Sequence, residues 1–350
     1  MSSVSDRSAE ELLRDLVAIP SLSRHESEAA EFLRAWMATF AYDESFVDEA
    51  GNAVGIMGSG PRQIVLLGHI DTFAGFPPVR QEGRLLYGRG AVDAKGPLCA
   101  FAVAACRARL PEDLQVIVIG AVEEEAATSR GAHYALSQYQ PESCVIGEPS
   151  QWDRITLGYK GRLLLDWHWE GGLSHSAGEA PSPAERALTY WRDIETYCDD
   201  FNDGIASLFA RLDASIRDIN TWQEGVNGIA EMMVGFRLPP KVAPAQIARE
   251  FPAGDGARVT ARGAECAFSG DRNSALSRQF RRAIRASGGV PRFVNKTGTS
   301  DMNIVGPRWN CPIVAYGPGD SALDHTPDEH TNLDDYLRAI DVLTSVLETI

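Results

Sequence analysis

Three short, uninterrupted apolar runs mark the first half of the chain, at Ile64–Leu67, Val116–Ile119 and Cys144–Ile146. Runs of this length without polar alternation are typical of strands buried on both faces. The segment 95–110, rich in alanine and leucine, and the segment 131–139 predict helices between these strands. The alternation of strand and helix predicts an α/β fold with a mostly parallel sheet.

The pattern changes after about residue 157. Apolar and polar residues alternate from Leu163 to Trp169 and again from Ile229 to Leu238, which predicts half-buried strands. A helix is predicted over residues 183–197, and another strand lies around Arg258–Arg262. These elements predict an inserted α+β domain with an open antiparallel sheet.

The last part of the chain returns to the first pattern, with a helix at Ser274–Ser287, a strand at Ile313–Tyr316 and a final helix capped near Asn332. At the other end, a helix is predicted to begin near Ser8 in a capping box with Glu11. We therefore predict two domains. Residues 1–157 and 269–350 form the first domain, and residues 158–268 form the second.

Polar residues follow the three apolar runs where each predicted strand ends. His69 comes after the first run, Glu123, Glu124 and Glu125 after the second, and Glu148 after the third. Open α/β sheets bind ligands outside the carboxyl ends of their strands. The sequence therefore predicts a functional site at this edge.

Composition narrows the class of protein and its partners. The chain of 350 residues is 44% hydrophobic and carries a net charge of −15, which argues against nucleic acid or an anionic membrane as main partner. No apolar run reaches membrane-spanning length, and residues 1–6 are polar, so we expect a cytoplasmic protein. The six cysteines lack close pairing, which favours buried thiols over a disulfide framework.

The polar residues at the strand ends are joined by two others in an order that suits metal chemistry. The full set is His69, Asp93, the acidic triplet Glu123–Glu125, Glu148 and His325. Imidazole and carboxylate ligands without thiolate suit Zn²⁺ or a close relative. Two such ions need a bridging carboxylate and terminal ligands for each, which this set can supply.

His69 lies in a Gly-His-x-Asp segment. On its own, a histidine after an apolar run would be expected to be a buried core residue. Asp71 favours the metal-ligand interpretation, because its side chain can hold the second imidazole nitrogen and orient the ring.

These motifs, in this order, resemble the M20 family of metallopeptidases and amidohydrolases over nearly the whole chain. Within that family, the segments 89–97 and 296–303 resemble hydrolases that release lysine or ornithine from an amino-group carrier protein. The resemblance implies a catalytic domain that binds two Zn²⁺ or Co²⁺ ions and an inserted lid domain. It also implies a homodimer formed through the lid and amide hydrolysis in amino-acid biosynthesis.

The resemblance implies a role for each matching residue. Asp93 would bridge the two metal ions, with a cis peptide bond after it, although the N-cap of the following helix is the alternative interpretation. His69 and Glu148 would be terminal ligands of one ion. Glu125 and His325 would be terminal ligands of the other.

The acidic triplet requires a choice of register. Alignment on the downstream Gly131 makes Glu124 the general base and Glu125 the ligand, and leaves Glu123 outside the ligand set. A shift by one residue is the alternative. His330 competes with His325, but the His-Thr-Pro-Asp-Glu context favours His325.

Lid and substrate residues are also implied. His175 matches the lid histidine that stabilises the oxyanion in the partner subunit's site. Asn227 and Arg237 resemble lid residues that contact substrate, and Gly298, Thr299 and Ser300 lie in the second matching segment. Many relatives carry arginine where this chain has Asn303, which argues against a generic deacylase of acidic substrates.

The segment 272–296 contains seven positive residues and no acidic one, with Arg278, Arg281, Arg282 and Arg285 on one side of the predicted helix. It predicts either a solvated helix face or a dock for the small acidic carrier protein. The alternatives for the whole protein are a small-molecule N-acyl-amino-acid deacylase or dipeptidase of the same family, and a non-catalytic metal-binding scaffold.

Overall fold

The computed structural model describes residues 4–40, 42–173, 180–254 and 256–350. The chain divides into two compact units. The first comprises Met1–Gly158, Gly270–Asn295 and Ile304–Ile350. The second comprises Tyr159–Ser269 and Lys296–Asn303, so it includes a segment that the predicted division assigned to the first domain.

The described elements are numbered in chain order. The helices are α1 (Asp6–Val17), α2 (Ser27–Thr39), α3 (Lys95–Arg107), α4 (Arg130–Gln138), α5 (Pro183–Asn202), α6 (Pro244–Glu250), α7 (Ala275–Ala286), α8 (Met302–Trp309) and α9 (Leu333–Thr349), with a 3-10 turn at Leu208–Ala210. The strands are β1 (Glu44–Val47), β2 (Ala53–Met57), β3 (Arg62–His69), β4 (Arg80–Glu82), β5 (Leu85–Tyr87), β6 (Leu114–Ala121), β7 (Ser143–Gly147), β8 (Arg154–Tyr159), β9 (Gly161–Gly172), β10 (Asp213–Glu224), β11 (Asn227–Leu238), β12 (Ala257–Glu265), β13 (Phe268–Ser269), β14 (Arg292–Lys296), β15 (Ile313–Tyr316) and β16 (His330–Asn332).

The large sheet of the first unit has parallel strands at its centre. In the order β6, β3, β7 and β15, each strand runs parallel to its neighbour. β2 and β1 extend the sheet in antiparallel fashion beyond β6, and β8 does so beyond β15. This arrangement confirms the predicted α/β class with a largely parallel central sheet.

The central strands are continuously apolar because both of their faces are covered. The side chains of Ile64–Leu67 in β3 and Val116–Ile119 in β6 are all buried. Helix α3 packs against β3 and β6 and also contacts α1 and α9. Its residues from Lys95 to Ala105 are buried, and its many alanines let the neighbouring elements approach closely.

The second unit is built on an antiparallel sheet in the order β10, β11, β9, β12. The alternation predicted for β9 is confirmed, since Leu163, Leu165, Trp167 and Trp169 are buried and the intervening side chains are more exposed. These side chains share a hydrophobic core with residues of α5 and α6. The inserted segment is therefore an α+β unit, as predicted.

Local capping residues set where several helices begin. Ser274 caps α7, and the Asn332 side chain accepts hydrogen bonds from two backbone N–H groups at the start of α9, as the sequence predicted. The prediction for α1 was wrong by about one turn. Ser5, rather than Ser8, is the N-cap, because its side chain accepts a hydrogen bond from the backbone N–H of Ser8.

Helix α5 is the longest helix of the described residues, with 20 residues. It begins in a capping box formed by Ser182 and Glu185 and buries one apolar face against the sheet of the second unit. Within the described ranges, no helix is both long enough and apolar enough to cross a membrane.

Candidate metal centre

The sheet brings the polar residues that follow three of its strands to the same edge. His69 is the last residue of β3 and pairs with Ala121, the last residue of β6. On the other side of β3, Gly68 pairs with Gly147, so His69 and Glu148 are the next residues along adjacent strands. This register places the residues at the edge that the sequence predicted.

Four side chains converge at this edge. Nε2 of His69 lies 3.1 Å from Oδ1 of Asp93, and Nε2 of His325 lies 3.1 Å from Oδ2 of the same carboxylate. His325 Nε2 also lies 2.9 Å from Oε1 of Glu125. Asp93 therefore presents one carboxylate oxygen to each imidazole, as a carboxylate that bridges two ions would have to do.

The donor atoms fit a divalent metal. One ligand atom each from His69, Asp93 and Glu125 lies within 4.8 Å of the other two, in a partly to fully buried position. The set contains imidazole nitrogen and carboxylate oxygen without a thiolate, which suits Zn²⁺ and similar ions. Three of the five predicted ligands therefore form a cluster that could hold a metal ion.

The charges of the cluster also favour a cation. Hydrogen bonding to Asp93 and Glu125 raises the pKa of His325 to about 10. Burial opposes the charged form of His69, but hydrogen bonds to Asp71 and Asp93 outweigh it and raise the pKa of this imidazole as well. Carboxylates that stabilise positive charge so strongly also provide a favourable environment for a metal cation.

Asp71 supports the site in two ways. Nδ1 of His69 lies 2.9 Å from the main-chain oxygen of Asp71 and 3.5 Å from its carboxylate oxygen Oδ1. The Asp71 carboxylate also accepts hydrogen bonds from the backbone N–H groups of Glu124 and Glu125, each at 3.0 Å, and from Ser23 at 2.7 Å. Asp71 thus faces the ring of His69 and also holds the acidic loop.

The three glutamates after β6 point in different directions. The Glu123 carboxylate accepts a hydrogen bond from Thr128 at 2.6 Å and forms an ion pair of 3.8 Å with Arg24. Glu125 reaches His325, and the charge of Glu124 acts on His69. These contacts favour the register in which Glu123 stands outside the ligand set.

Glu123 and His325 have left-handed backbone conformations, each with φ near 61°. Residues other than glycine adopt this region at an energetic cost of about 1–3 kcal/mol, and they often do so at functional sites. The peptide bond between Asp93 and Ala94 is cis, as the family resemblance implied.

Three further residues from the sequence analysis are Glu148, His330 and His175. Glu148 is buried directly after β7. His330 turns away from the cluster, since its ring packs against Tyr87 and its Nδ1 contacts the main-chain oxygen of Asp328 at 2.7 Å. His175 lies outside the described residues.

Sequence reasoning missed one residue of the site. Glu329 is fully buried, and its Oε1 atom accepts hydrogen bonds from the backbone N–H groups of Gly90, Val92 and Asp93 at 2.9, 3.0 and 3.2 Å. Its other oxygen forms a 2.5 Å ion pair with Arg89, which is only 6% exposed. Glu329 therefore holds the loop that carries Asp93. The only sequence signal was an acidic residue four positions after His325.

Residues predicted to contact substrate are spread along the second unit. Arg237 donates a hydrogen bond to the Thr299 hydroxyl at 2.9 Å, and Thr299 donates to the main-chain oxygen of Lys160 at 3.0 Å. Asn227, at the opposite end of β11, donates to Glu170 at 3.0 Å. Within this chain, Arg237 and Thr299 are brought together, but Asn227 is not.

The segment 298–303 is held in place by the residue that departs from the family pattern. The Asn303 side chain accepts a hydrogen bond from the backbone N–H of Ser300 at 3.0 Å. Its amide group donates to the main-chain oxygens of Lys160 and Cys266 at 3.1 and 2.8 Å. Asn303 thus anchors the backbone beside Gly298, Thr299 and Ser300.

Imidazoles and carboxylates gathered at the ends of parallel strands suit hydrolysis assisted by bound metal ions, and they place the protein in the class of metal-dependent hydrolases. The sequence profile of Peptidase family M20/M25/M40 matches residues 65–349. The chain belongs to this family and is a metal-dependent amide hydrolase.

Relatives and solved structures agree with this assignment. The chain is 47% identical to the "[LysW]-lysine hydrolase" of Deinococcus radiodurans, over 97% of this chain and 96% of that protein. It is 40% identical to a Thermococcus kodakarensis protein provisionally named "[LysW]-lysine/[LysW]-ornithine hydrolase", over 99% of this chain and 93% of the relative. The fold is similar to that of the M20 family metallo-carboxypeptidase Sso-CP2 from Sulfolobus solfataricus, with a TM-score of 0.79, 19% identity and coverage of 97% and 98%.

Proposed function

We propose that this enzyme releases lysine or ornithine from an amino-group carrier protein by hydrolysing the amide that links them. The observation that carries the proposal is the 47% identity, across nearly the full length of both chains, to a protein named for hydrolysis of LysW-linked lysine. The converging ligand atoms of His69, Asp93 and Glu125 support a metal centre, and Glu124 next to them in the chain supplies a base that a non-catalytic scaffold would not need.

We assign two Zn²⁺ or Co²⁺ ions to the centre. Asp93 would bridge them, His69 and Glu148 would hold one ion, and Glu125 and His325 would hold the other. The bridging role rests on the two oxygens of Asp93, each of which lies 3.1 Å from a different imidazole. Bound there, the ions would activate a water molecule and polarise the amide carbonyl.

Protein side chains would transfer the proton, hold the base in position and stabilise the oxyanion. Glu124 would accept a proton from the attacking water and pass it to the leaving amine. Asp71 would keep Glu124 in place through the hydrogen bond to its backbone N–H. His175, supplied by the partner subunit of a lid-mediated homodimer, would donate a hydrogen bond to the developing oxyanion.

Substrate contacts are assigned to Arg237, Thr299 and the neighbouring Gly298 and Ser300. The Arg237–Thr299 hydrogen bond places a cationic group beside this segment, where the α-carboxylate of the released amino acid would find a partner. Release of lysine or ornithine in this way would serve amino-acid biosynthesis. The charged carrier protein would be the macromolecular substrate, and we place the enzyme in the cytoplasm.

The test compares four substrates with the protein loaded with Zn²⁺ or Co²⁺, each with and without EDTA. They are LysW charged with lysine, Nα-(γ-glutamyl)-lysine, N-acetyl-lysine and N-acetyl-ornithine. We expect EDTA-sensitive release of lysine with the highest kcat/KM for the charged carrier. Higher kcat/KM for the acetylated amino acids would replace the proposal by a small-molecule deacylase, and no hydrolysis of any substrate would favour the scaffold.

A further inference from the structure

The first unit carries a group of six arginines, which we call the arginine patch: Arg272, Arg278, Arg281, Arg282, Arg285 and Arg292. Four of them project from α7, whose opposite face is buried through Leu276, Phe280 and Ile284. No aspartate or glutamate occurs between residues 272 and 296. The patch is therefore a locally positive surface on a chain with a net charge of −15.

The patch differs in its partners from three other arginines of the first unit. Arg62, Arg84 and Arg107 each form ion pairs with two carboxylates. None of the six patch arginines forms an ion pair with a carboxylate of the described chain, and the polar contact of Arg278 is with the main-chain oxygen of Asn273. The patch therefore retains its positive charge for an external partner.

Local packing gives the patch a defined shape. The guanidinium groups of Arg272 and Arg281 lie 5.4 and 5.9 Å from the centre of the Phe293 ring. Arg281 and Arg285 line two adjoining open pockets, and one of these also contains Arg272, Arg292 and Phe293. Several guanidinium groups thus line the same open pockets. Carboxylates of a partner protein could form ion pairs with them there.

We propose that the arginine patch is the docking surface for an acidic face of the carrier protein that delivers the amino acid. This inference rests on the proposed function, because it names the surface that would distinguish a carrier-linked substrate from a small amide. Arginine forms bidentate hydrogen bonds with carboxylates, so clustered arginines select a carboxylate-rich surface. Attraction of this kind raises the rate of encounter and orients the partner.

A protein partner fits the patch better than a nucleic acid does. The patch is a small positive area on a molecule with a sequence pI near 4.9, so an extended polyanion would be repelled by much of the remaining surface. A small acidic protein needs only a local area of opposite charge. Along the chain, the patch ends at Arg292 in β14, which leads into the segment proposed to contact the released amino acid.

The test uses the full-length, metal-loaded enzyme with Arg281→Glu and Arg285→Glu combined. Its matched control combines Arg192→Glu and Arg308→Glu, two exposed arginines outside the patch, and so has the same change in charge. The substrates are LysW charged with lysine and Nα-(γ-glutamyl)-lysine, which is a small lysine amide without a protein surface. Circular dichroism and metal content verify that each variant is folded and loaded.

We expect the patch variant to lose about tenfold or more in kcat/KM for the charged carrier, mainly through a higher KM, and to hydrolyse the dipeptide normally. The control variant should match the unaltered enzyme on both substrates. In the unaltered enzyme, KM for the carrier should rise between 0.1 and 1 M salt, because the Debye length falls from about 10 Å to about 3 Å.

Four results would overturn the docking surface, and the last of them would also overturn the proposed function. Unchanged KM for the carrier in the patch variant, together with salt-independent KM in the unaltered enzyme, would show that docking occurs elsewhere, while the proposed function would stand. Equal losses on both substrates would show that the patch acts on the active site itself. Tight, competitive binding of duplex DNA at physiological salt would assign the patch to nucleic acid. If the unaltered enzyme fails to hydrolyse the charged carrier, the proposed function falls and the docking surface falls with it.

Discussion

Asp93 shows how much the chemistry of this site depends on the orientation of single side chains. Its two carboxylate oxygens face different histidines, His69 and His325, which are 256 residues apart in the chain. The residue type and its approximate position could be recognised from the sequence. Its orientation could not, because it depends on a loop held by Glu329, which is distant along the chain.

The acidic triplet makes the same point about neighbouring residues of one type. Three consecutive glutamates are indistinguishable by composition, and the sequence-based register relied on a family alignment. The contacts of Glu123 with Thr128 and Arg24 turn that side chain away from the ligands, whereas Glu125 contacts His325. Side-chain direction in a turn follows from backbone conformation, which no periodic pattern specifies.

At the residue scale, we predict that Glu124→Gln lowers kcat by about 10²–10⁴-fold while both metal ions stay bound, because the variant loses the general base and keeps the ligands. Metal content by mass spectrometry and kcat for the charged carrier provide the measurement. Glu123→Gln is the matched control and should retain most of the activity, since an amide can still accept the Thr128 hydrogen bond. Loss of metal from Glu124→Gln would show that the register is wrong.

At the scale of elements, the sequence was most informative where burial is complete on both faces. The runs that form β3, β6 and β7 are apolar throughout, and β15 was predicted with its observed bounds, Ile313–Tyr316. Strand β10 was missed because nearly all of its side chains are exposed, so it has no apolar alternation. It is a strand because it pairs with β11 along its length in a hairpin closed by Gly225 and Val226.

Loops that connect these elements are tied to each other by Glu329. This residue immediately precedes β16, and its carboxylate binds the backbone of the loop between β5 and α3. Arg89, from that same loop, also donates a hydrogen bond to the main-chain oxygen of Gly75 at 2.9 Å. Two of the loops that carry proposed ligands are therefore held as one structure.

We predict that Glu329→Gln weakens metal binding by about 10–100-fold, because the loop that carries Asp93 loses a charged acceptor and Arg89 loses its partner. The metal dissociation constant, measured by competition with a chromogenic chelator, provides the test. Asp328→Asn removes the same charge one position earlier, at an exposed residue, and should leave the constant unchanged. An unchanged dissociation constant in Glu329→Gln would show that the loop keeps its structure without this contact.

At the scale of the whole molecule, the chain forms two units with separate hydrophobic cores. All five proposed metal ligands belong to the first unit. Metal binding is therefore linked to the folding of that unit, since an ion that binds only the folded state stabilises it by mass action.

We predict that removing the metal ions with a chelator lowers the unfolding midpoint of the first unit by about 10 °C. Free metal at about a thousand times its dissociation constant stabilises the folded state by about 4 kcal/mol, and the chelator removes this contribution. Differential scanning calorimetry measures the midpoint, and hydrogen exchange at β3 and β9 assigns the change to a unit. Addition of Zn²⁺ after dialysis should restore the original value. An equal loss of protection in β9 would contradict a local effect.

The sequence by itself determined the alternation of strands and helices, the inserted α+β segment and the residue types that follow each buried strand. Those features are local, since they depend on the spacing of apolar residues and on the polar residues where each run ends. Only the tertiary structure decided that Glu329 holds the Asp93 loop, that Asp71 binds the acidic loop, and that Asp93 faces both His69 and His325. Each of these depends on contacts between segments far apart in the chain, which form only when the elements pack together.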